Sequence, residues 1–259
     1  MFTALIESDP TGRSWLPALL ELCPRRDRVP TWLRAEPGEL LPELLATRLY
    51  KDKVLGEVEI LHCFERRVPP PARFLRWLIL NSEKMSWPKN AGTSEETLRR
   101  RRELCGDDPE LREAARRNAL ALLDERGASG SDKKWWAFEG FTEVDCWLET
   151  EHLVLLVEGK RRESLSPATV WYPARNQLVR NLEVAGDYVG AKDPFVLLAT
   201  EEAVPELTSE TLIASTPHMN DADRDQLTER YLGQVTWQSL VDALALPPRV
   251  LVDERSPDV

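Results

Sequence analysis

The sequence of 259 residues lacks the long apolar runs of a membrane protein and the paired cysteines of a structural metal site. No apolar run approaches the roughly 20 residues that a membrane-spanning helix requires. The four cysteines lie about forty residues apart without a CxxC pair, so we expect free thiols in a reducing compartment rather than zinc or an iron–sulfur cluster. The N-terminus has no basic segment followed by an apolar one, so we predict no signal peptide and expect a soluble, cytoplasmic protein that does not bind membranes.

Several common catalytic motifs are missing as well. The pair Gly159-Lys160 has no glycine five residues before it and is followed by arginine, so it does not form a phosphate-binding loop. No G-x-S-x-G or H-E-x-x-H segment occurs, and the three histidines are isolated from one another. These absences argue against a P-loop NTPase, an α/β-hydrolase and a zincin protease.

Basic residues are outnumbered, 34 against 44 acidic ones, which gives a net charge of −10 and disfavours a general polyanion binder. The excess is unevenly placed, because residues 98–180 contain 15 basic and 15 acidic residues by count. A neutral middle with clustered arginines can still meet phosphate locally. The net charge therefore does not decide whether the protein binds nucleic acid.

Proline breaks and apolar periodicity divide the chain into three predicted regions. Residues 1–90 predict a helical N-terminal region, residues 91–205 a core of helices and strands, and residues 206–259 a C-terminal helical extension. Helices are predicted at 15–23, 40–50, 72–81, 94–102, 109–126, 174–188, 221–231 and 237–246, and strands at 135–141, 141–149, 152–162 and 194–200. The order of elements in the core predicts an α/β fold with a small mixed β-sheet flanked by helices.

The segments 141–149 and 152–162 predict a β-hairpin that carries the most informative residues. Glu158 and Lys160 are two residues apart on a strand, so their side chains share one face. The strand before them is apolar on both faces and is therefore expected to be covered. A turn near residue 151 would place Asp145 opposite Val157 and diagonal to Glu158, within about 7–8 Å.

Two neighbouring buried carboxylates repel each other unless a proton or a cation lies between them. Such oxygen ligands suit Mg²⁺ or Mn²⁺, which retain several waters and also accept phosphate oxygens. Lys160 beside them can orient a water or stabilise charge that develops at phosphorus. Asp145 and Glu158 are thus candidate metal ligands for phosphodiester hydrolysis, and a purely structural ion-pair cluster of the same residues stays open as the alternative.

This pattern resembles the PD-(D/E)xK, or restriction-endonuclease-like, nuclease superfamily. Val144-Asp145 stands where the Pro-Asp of the family motif would be, and Glu158-Gly-Lys160 matches the ExK. Gln177, in the next predicted helix, is similar to the glutamine that several members carry there. The resemblance covers roughly residues 109–200 and implies a restriction-endonuclease-like core with catalytic residues Asp145, Glu158, Lys160 and Gln177. Some members have a further acidic ligand on the first helix, for which Glu113 and Glu125 are both candidates.

The surroundings of this pattern suggest how a nucleic acid would be held. Four arginines are candidate contacts for backbone phosphates: Arg161, Arg162, Arg175 and Arg180. Three tryptophans are near enough to offer stacking platforms for bases: Trp135, Trp136 and Trp171. The expected partner is nucleic acid, with DNA expected ahead of RNA, and a homodimer is compatible with the sequence. A catalytically degenerate nuclease-fold module that binds nucleic acid or protein is the second hypothesis.

Overall fold

A five-stranded mixed β-sheet organises the part of the chain that the computed structural model describes, which comprises residues 1–12, 14–29, 61–86, 95–128, 141–150, 153–161, 163–169, 171–188 and 190–247. The strands are Leu61–Val68 (β1), Thr142–Glu149 (β2), Leu153–Lys160 (β3), Asp193–Thr200 (β4) and Tyr231–Thr236 (β5). They lie in the order β1-β2-β3-β4-β5 across the sheet. The predicted mixed α/β class is therefore confirmed.

Nine α-helices accompany the sheet within these residue ranges. They are Phe2–Ser8 (α1), Leu16–Leu22 (α2), Ala72–Leu80 (α3), Glu95–Cys105 (α4), Pro109–Arg126 (α5), Gln177–Tyr188 (α6), Ser209–Ser215 (α7), Asp221–Glu229 (α8) and Trp237–Ala243 (α9). The ends of α5 illustrate how the sequence sets such bounds. Asp108 accepts hydrogen bonds from the second and third helical amides, proline occupies the first turn, and Gly127 ends the helix with φ +65°.

Strand directions follow from the connections. β1 pairs with β2 and β2 with β3 in antiparallel fashion, whereas β3 with β4 and β4 with β5 are parallel. Parallel neighbours need a crossover, which α6 provides between β3 and β4, while α7 and α8 lie between β4 and β5. β3 is therefore the central strand, and its residues 153–157 are all buried, as their unbroken apolar run predicts.

Each face of the sheet has its own helical cover. On one face, α1, α2 and α9 pack over Leu155 and Val157 of β3, and we call this the α2 face. On the other, α6, α7 and α8 pack over Val154 and Leu156, and we call this the α6 face. Helices α3, α4 and α5 form a third apolar cluster around Phe74. The end of β3 that carries Glu158 thus leaves the core between two covered faces.

The sheet crosses the region boundaries that the sequence predicts. β1 lies within the N-terminal region that was predicted to be helical, and β5 lies within the predicted C-terminal helical extension. Both predictions of a purely helical region are therefore wrong, because each region contributes a strand to the same sheet. The predicted helix at 40–50 and all but the last residue of the predicted strand at 135–141 lie outside the described residues.

Within the described residues, no helix is long and apolar enough to cross a membrane.

Candidate functional site

The β2–β3 hairpin forms with a register one residue away from the predicted one. Cys146, and not Asp145, lies opposite Val157, and the pairing continues to Glu149 opposite Val154. The shift is set at the turn, because Glu149 opposite Val154 is already one residue away from the predicted pairing and the N–H of Thr150 donates to the carbonyl of Leu153. The alternation along β2 is also interrupted at Asp145. Val144 contacts the cluster on the α6 face, but Cys146 contacts the cluster on the α2 face. Asp145 is left beyond the last β2–β3 pair, at the level of Glu158.

The backbone beside Asp145 is irregular on the neighbouring strand too. Phe64 pairs with Cys146 and Arg66 with Val144, so Glu65 is the residue of β1 that faces Asp145. Glu65 has φ +53°, a left-handed conformation that costs a non-glycine residue energy. The sheet therefore departs from regular pleating at the point where the candidate site begins.

Glu158 is the centre of a buried polar network on the α6 face. Its relative exposure is 1%, and its Oε1 lies 2.6 Å from the Nζ of Lys160. The same Oε1 accepts a hydrogen bond from Nε2 of Gln177, and Oε2 accepts one from Nδ2 of Asn181 at 2.8 Å. Gln177 and Asn181 are four residues apart and so lie on the same side of α6. The predicted sharing of one face by Glu158 and Lys160 is confirmed by their ion pair.

Burial and a neighbouring carboxylate both act on the ionisation of Glu158. Burial raises its pKa, and the charge of Asp145 raises it further, while Lys160 and Asn181 oppose these effects. The net result is a pKa above the usual value of a glutamate. The charge of Asp145 thus reaches Glu158. Three hydrogen-bond donors face the carboxylate, an arrangement suited to its ionised form.

Asp145 approaches the hairpin end from its exposed side. Its Oδ2 accepts a hydrogen bond of 2.7 Å from the backbone N–H of Gly159, in place of a carbonyl partner from β2. It also lines a cavity of about 190 Å³ on the α2 face, together with Phe2, Arg161 and Trp237, which we call the Asp145 cavity. Asp145 therefore belongs to the same end of the hairpin as Glu158 but opens towards the other side of the sheet.

A tryptophan fixes the end of β3. Trp237 donates a hydrogen bond of 3.0 Å from Nε1 to the carbonyl of Lys160. A Cβ added to Gly159 would lie 2.8 Å from Cζ2 of the same ring, so only glycine allows the indole this close. The backbone between Glu158 and Lys160 is thereby held from the α2 face, while their side chains are held on the α6 face.

A larger cavity of about 450 Å³ adjoins the network on the α6 face. Its lining includes Thr142, Glu143, Ser166, Trp171, Gln177 and Arg180, and we call it the Trp171 cavity. Two of its lining residues belong to the Glu158 network. Gln177 donates to Glu158 directly, and Thr142 Oγ1 hydrogen-bonds to Oδ1 of Asn181 at 3.1 Å. The Trp171 cavity and the buried carboxylate are therefore parts of one hydrogen-bonded assembly.

The four arginines predicted to bind phosphate differ in position and burial. Arg161 is half-buried at the Asp145 cavity and Arg180 half-buried at the Trp171 cavity, so they lie at different openings and their role stays a prediction. Arg162 lies outside the described residues. Arg175 has a relative exposure of 0%, pairs with Glu183 at 2.7 Å and covers the ring of Phe74. The prediction that Arg175 holds a backbone phosphate does not agree with this burial, because its charge is already matched inside the core.

The two further acidic candidates from the sequence are not drawn into the site. Glu113 and Glu125 are exposed on α5, where they pair with the neighbouring Arg117 and Arg126. Helix α5 packs with α3 and α4, so neither carboxylate is selected as a further ligand. Trp135 and Trp136 lie outside the described residues.

Two members of the site were missed by the sequence reasoning. Asn181 is fully buried and binds Glu158, and its place four residues after Gln177 is the signal that could have revealed it. Trp237 contacts the end of β3 from a helix 77 residues further along the chain, and no local pattern could have shown this.

Comparisons with known proteins supply no relative: no family model, no curated protein and no solved structure matches the chain.

Proposed function

We propose that the protein hydrolyses phosphodiester bonds of nucleic acid, DNA being the first substrate to test, with a divalent metal ion of the Mg²⁺ or Mn²⁺ type. The observation that carries the proposal is the buried carboxylate of Glu158, paired with Lys160 and coupled to the charge of Asp145 at one end of the hairpin. A buried carboxylate with a raised pKa that lies beside a cavity is typical of catalytic sites. The arrangement supports the resemblance to the PD-(D/E)xK superfamily, which stays part of the proposal.

The donor chemistry at the hairpin end fits a hard cation. Of the four lone-pair positions on Glu158, the contacts with Lys160, Gln177 and Asn181 occupy three. The described contact of Asp145 engages Oδ2 and leaves Oδ1. No cluster of three or more acidic, histidine or cysteine ligands occurs among the described residues, so the remaining ligands would be water and phosphate, as is usual for Mg²⁺.

Each residue then has a defined task. Asp145 and Glu158 would hold the ion once the Asp145 side chain turns from the Asp145 cavity towards Glu158. A bound ion of this kind supplies an activated water and charge stabilisation at phosphorus. Lys160 keeps its ammonium 2.6 Å from Glu158, where it can orient a water or stabilise negative charge on the phosphate. Gln177 holds Glu158 through its amide and faces the Trp171 cavity.

A second function is favoured by the same geometry. Glu158 is already satisfied by three protein donors, and Asp145 opens to the opposite face from Glu158. A carboxylate held so completely can also serve as a structural ion-pair centre. In that case the protein is a nuclease-fold module that binds nucleic acid or protein without cutting.

The deciding experiment combines cleavage with metal binding. Purified protein is incubated with supercoiled plasmid, single-stranded DNA and RNA in Mg²⁺, Mn²⁺ or EDTA, beside Lys160→Ala and Asp145→Asn. We expect metal-dependent cutting that falls at least about 100-fold in both variants. Glu110→Gln, which removes an exposed carboxylate on α5, away from the hairpin, is the matched control and should cut like the wild type.

Calorimetry with Mn²⁺ separates the two functions. A catalytic site should bind Mn²⁺ and lose that binding in Asp145→Asn. Absence of cutting on all three substrates, together with absence of Mn²⁺ binding, would refute hydrolysis and leave the binding module.

A further inference from the structure

We propose that the Trp171 cavity binds one unpaired nucleotide of the substrate, so that the protein prefers single-stranded or locally opened nucleic acid to a regular duplex. The inference rests on the proposed function for its assumption that the substrate is nucleic acid. It adds the substrate class, which the hairpin residues do not define.

The cavity has the size and chemistry of a site for a planar polar ligand. Its volume of about 450 Å³ falls within the ~300–1,000 Å³ range of small-molecule sites. Trp171 lines it as a half-buried aromatic ring. Glu143 and the hydroxyl of Ser166 add acceptor oxygens to the wall, and the amide nitrogen of Gln177, which donates once to Glu158, retains a second N–H. A nucleobase presents a flat ring with donors and acceptors on its edge, which is the complement of such a lining.

The ring of Trp171 is held in place before any ligand arrives. The guanidinium of Arg101 lies 3.9 Å from the ring centroid and is itself almost fully buried, with a relative exposure of 3%. The carbonyl of Trp171 also accepts a 2.7 Å hydrogen bond from the N–H of Ser86. A preorganised aromatic platform loses little conformational entropy when a base stacks on it.

The charge of Arg180 and the hydrogen bond from Gln177 to Glu158 favour a nucleotide over a neutral ring as the ligand of the cavity. Arg180 contributes a positive charge to the wall, where it can meet the phosphate attached to the bound base. Gln177 forms part of the same wall and donates to Glu158, so the sugar–phosphate of a nucleotide in the cavity would lie next to the carboxylate network. Bases within a duplex are stacked and cannot enter a side cavity, so occupancy requires an unpaired or extruded nucleotide.

The test measures binding in EDTA, where no metal-dependent cutting can contribute. A fluorescein-labelled 12-nucleotide single strand and the corresponding duplex are titrated with protein, and anisotropy gives the two dissociation constants. We expect the single strand to bind at least about tenfold more tightly. Trp171→Ala should weaken single-strand binding by about 5- to 100-fold, whereas Trp171→Phe, which retains an aromatic face, should stay within about threefold of wild type.

Arg180→Ala supplies an independent measurement. Removal of one phosphate contact should lower the slope of log K against log salt by about 0.7 for a single strand. Arg117→Ala, an exposed arginine of α5 away from the cavity, is the charge control and should leave the slope unchanged.

A wild-type experiment guards against variants that fold poorly. Single strands with one abasic position, moved stepwise along the oligonucleotide, should show reduced affinity at one or two positions, and Trp171→Ala should show no such dependence.

Equal affinity for single strand and duplex, no binding to the single strand, or an affinity that is independent of Trp171 would each overturn the proposal. Single-strand binding without cutting would refute only the hydrolytic function, and metal-dependent cutting without single-strand preference would refute only the base site.

Discussion

Replacement of Asn181 by aspartate tests the central network most directly. Asn181 is fully buried, donates to Glu158 at 2.8 Å and bonds through its other amide atom to Thr142. Asn181→Asp keeps the shape of the side chain and the oxygen that faces Thr142, but places a carboxyl group against the ionised Glu158. The variant therefore changes charge with little change of packing.

The magnitude follows from the separation of the two groups. Two like charges 2.8 Å apart repel by about 6 kcal/mol at an effective dielectric constant of about 20. Retention of one proton on an aspartate of unfolded pKa 3.9 costs about 4 kcal/mol at pH 7 and about 1.5 kcal/mol at pH 5. Because protonation is the cheaper course, the folded variant should hold one proton more than its unfolded chain. The free energy of unfolding of the variant, relative to wild type, should then fall by about 1.4 kcal/mol for each unit by which the pH rises between 5 and 7.

Urea unfolding at pH 5, 6 and 7 measures this slope. Asn118→Asp, an exposed position on α5, is the matched control and should show no slope and a change within about 0.5 kcal/mol. A destabilisation of Asn181→Asp that is constant across the pH range would refute the reasoning. It would mean that Glu158 already carries a proton in the wild-type protein and is not the ionised partner of Lys160.

Three further outcomes are expected elsewhere in the molecule. Gly159→Ala should lower the free energy of unfolding by about 1–3 kcal/mol in urea titrations, because its Cβ would lie 2.8 Å from the ring of Trp237; an unchanged midpoint would contradict the close packing. Burial raises the pKa of Glu183, but Arg175 and His218 lower it, and the net pKa lies below the usual value of a glutamate. The ionised Glu183 therefore stabilises the folded protein above pH ~4.3, and this contribution is lost as the pH falls through the folded pKa. Glu183→Gln should therefore be destabilised by about 3–5 kcal/mol at pH 7, with a deficit that shrinks in unfolding titrations below pH ~4.3, and a deficit that grows there would contradict the assignment. Cys63 is exposed and should react with a thiol reagent in the folded protein, whereas burial raises the pKa of Cys146 and should leave it unreactive until the chain unfolds; equal rates would count against this placement.

The parts of the fold that the sequence predicts well are those with strong local periodicity. The apolar run of β3, the helix α5 with its proline start and glycine end, and the helix α6 all form close to their predicted bounds. The pairing of Glu158 with Lys160 was predictable because it depends only on the two-residue repeat of a strand.

Strands at the two edges were not predictable in the same way. β1 has the sequence LHCFERRV, whose exposed polar residues give no clear apolar alternation, and β5 is a six-residue strand interrupted by glycine. β1 has one partner and is mostly exposed, so its sequence is little constrained, whereas β5 is largely buried and is hard to predict because it is short and contains a glycine. The strands in the N-terminal and C-terminal regions were not predicted for these reasons.

Long-range burial was the other source of error. Arg175 was expected at the surface because arginine is seldom buried, but Glu183 and the carbonyl of Ser215 surround its guanidinium. The predicted hairpin register was wrong by one residue from the turn onwards, and a break in the alternation at Asp145 moves that side chain to the other face. Neither effect has a signature in the local sequence.

The central position of β3 has a consequence for the timescale on which the parts of the proposed site can open. Glu158 belongs to a strand whose backbone pairs with β2 on one side and β4 on the other, so its amide protons should exchange with solvent only when the sheet itself parts. Ser166 and Trp171, by contrast, lie in the connection between β3 and α6, and connections of this kind open with much lower free energy. Hydrogen exchange should thus be slow in β3 and faster in the connection that contains Ser166 and Trp171. A nucleotide could then enter and leave through local fluctuations of this connection around the Trp171 ring, which Arg101 holds, while the groups proposed to act on its phosphate keep their geometry.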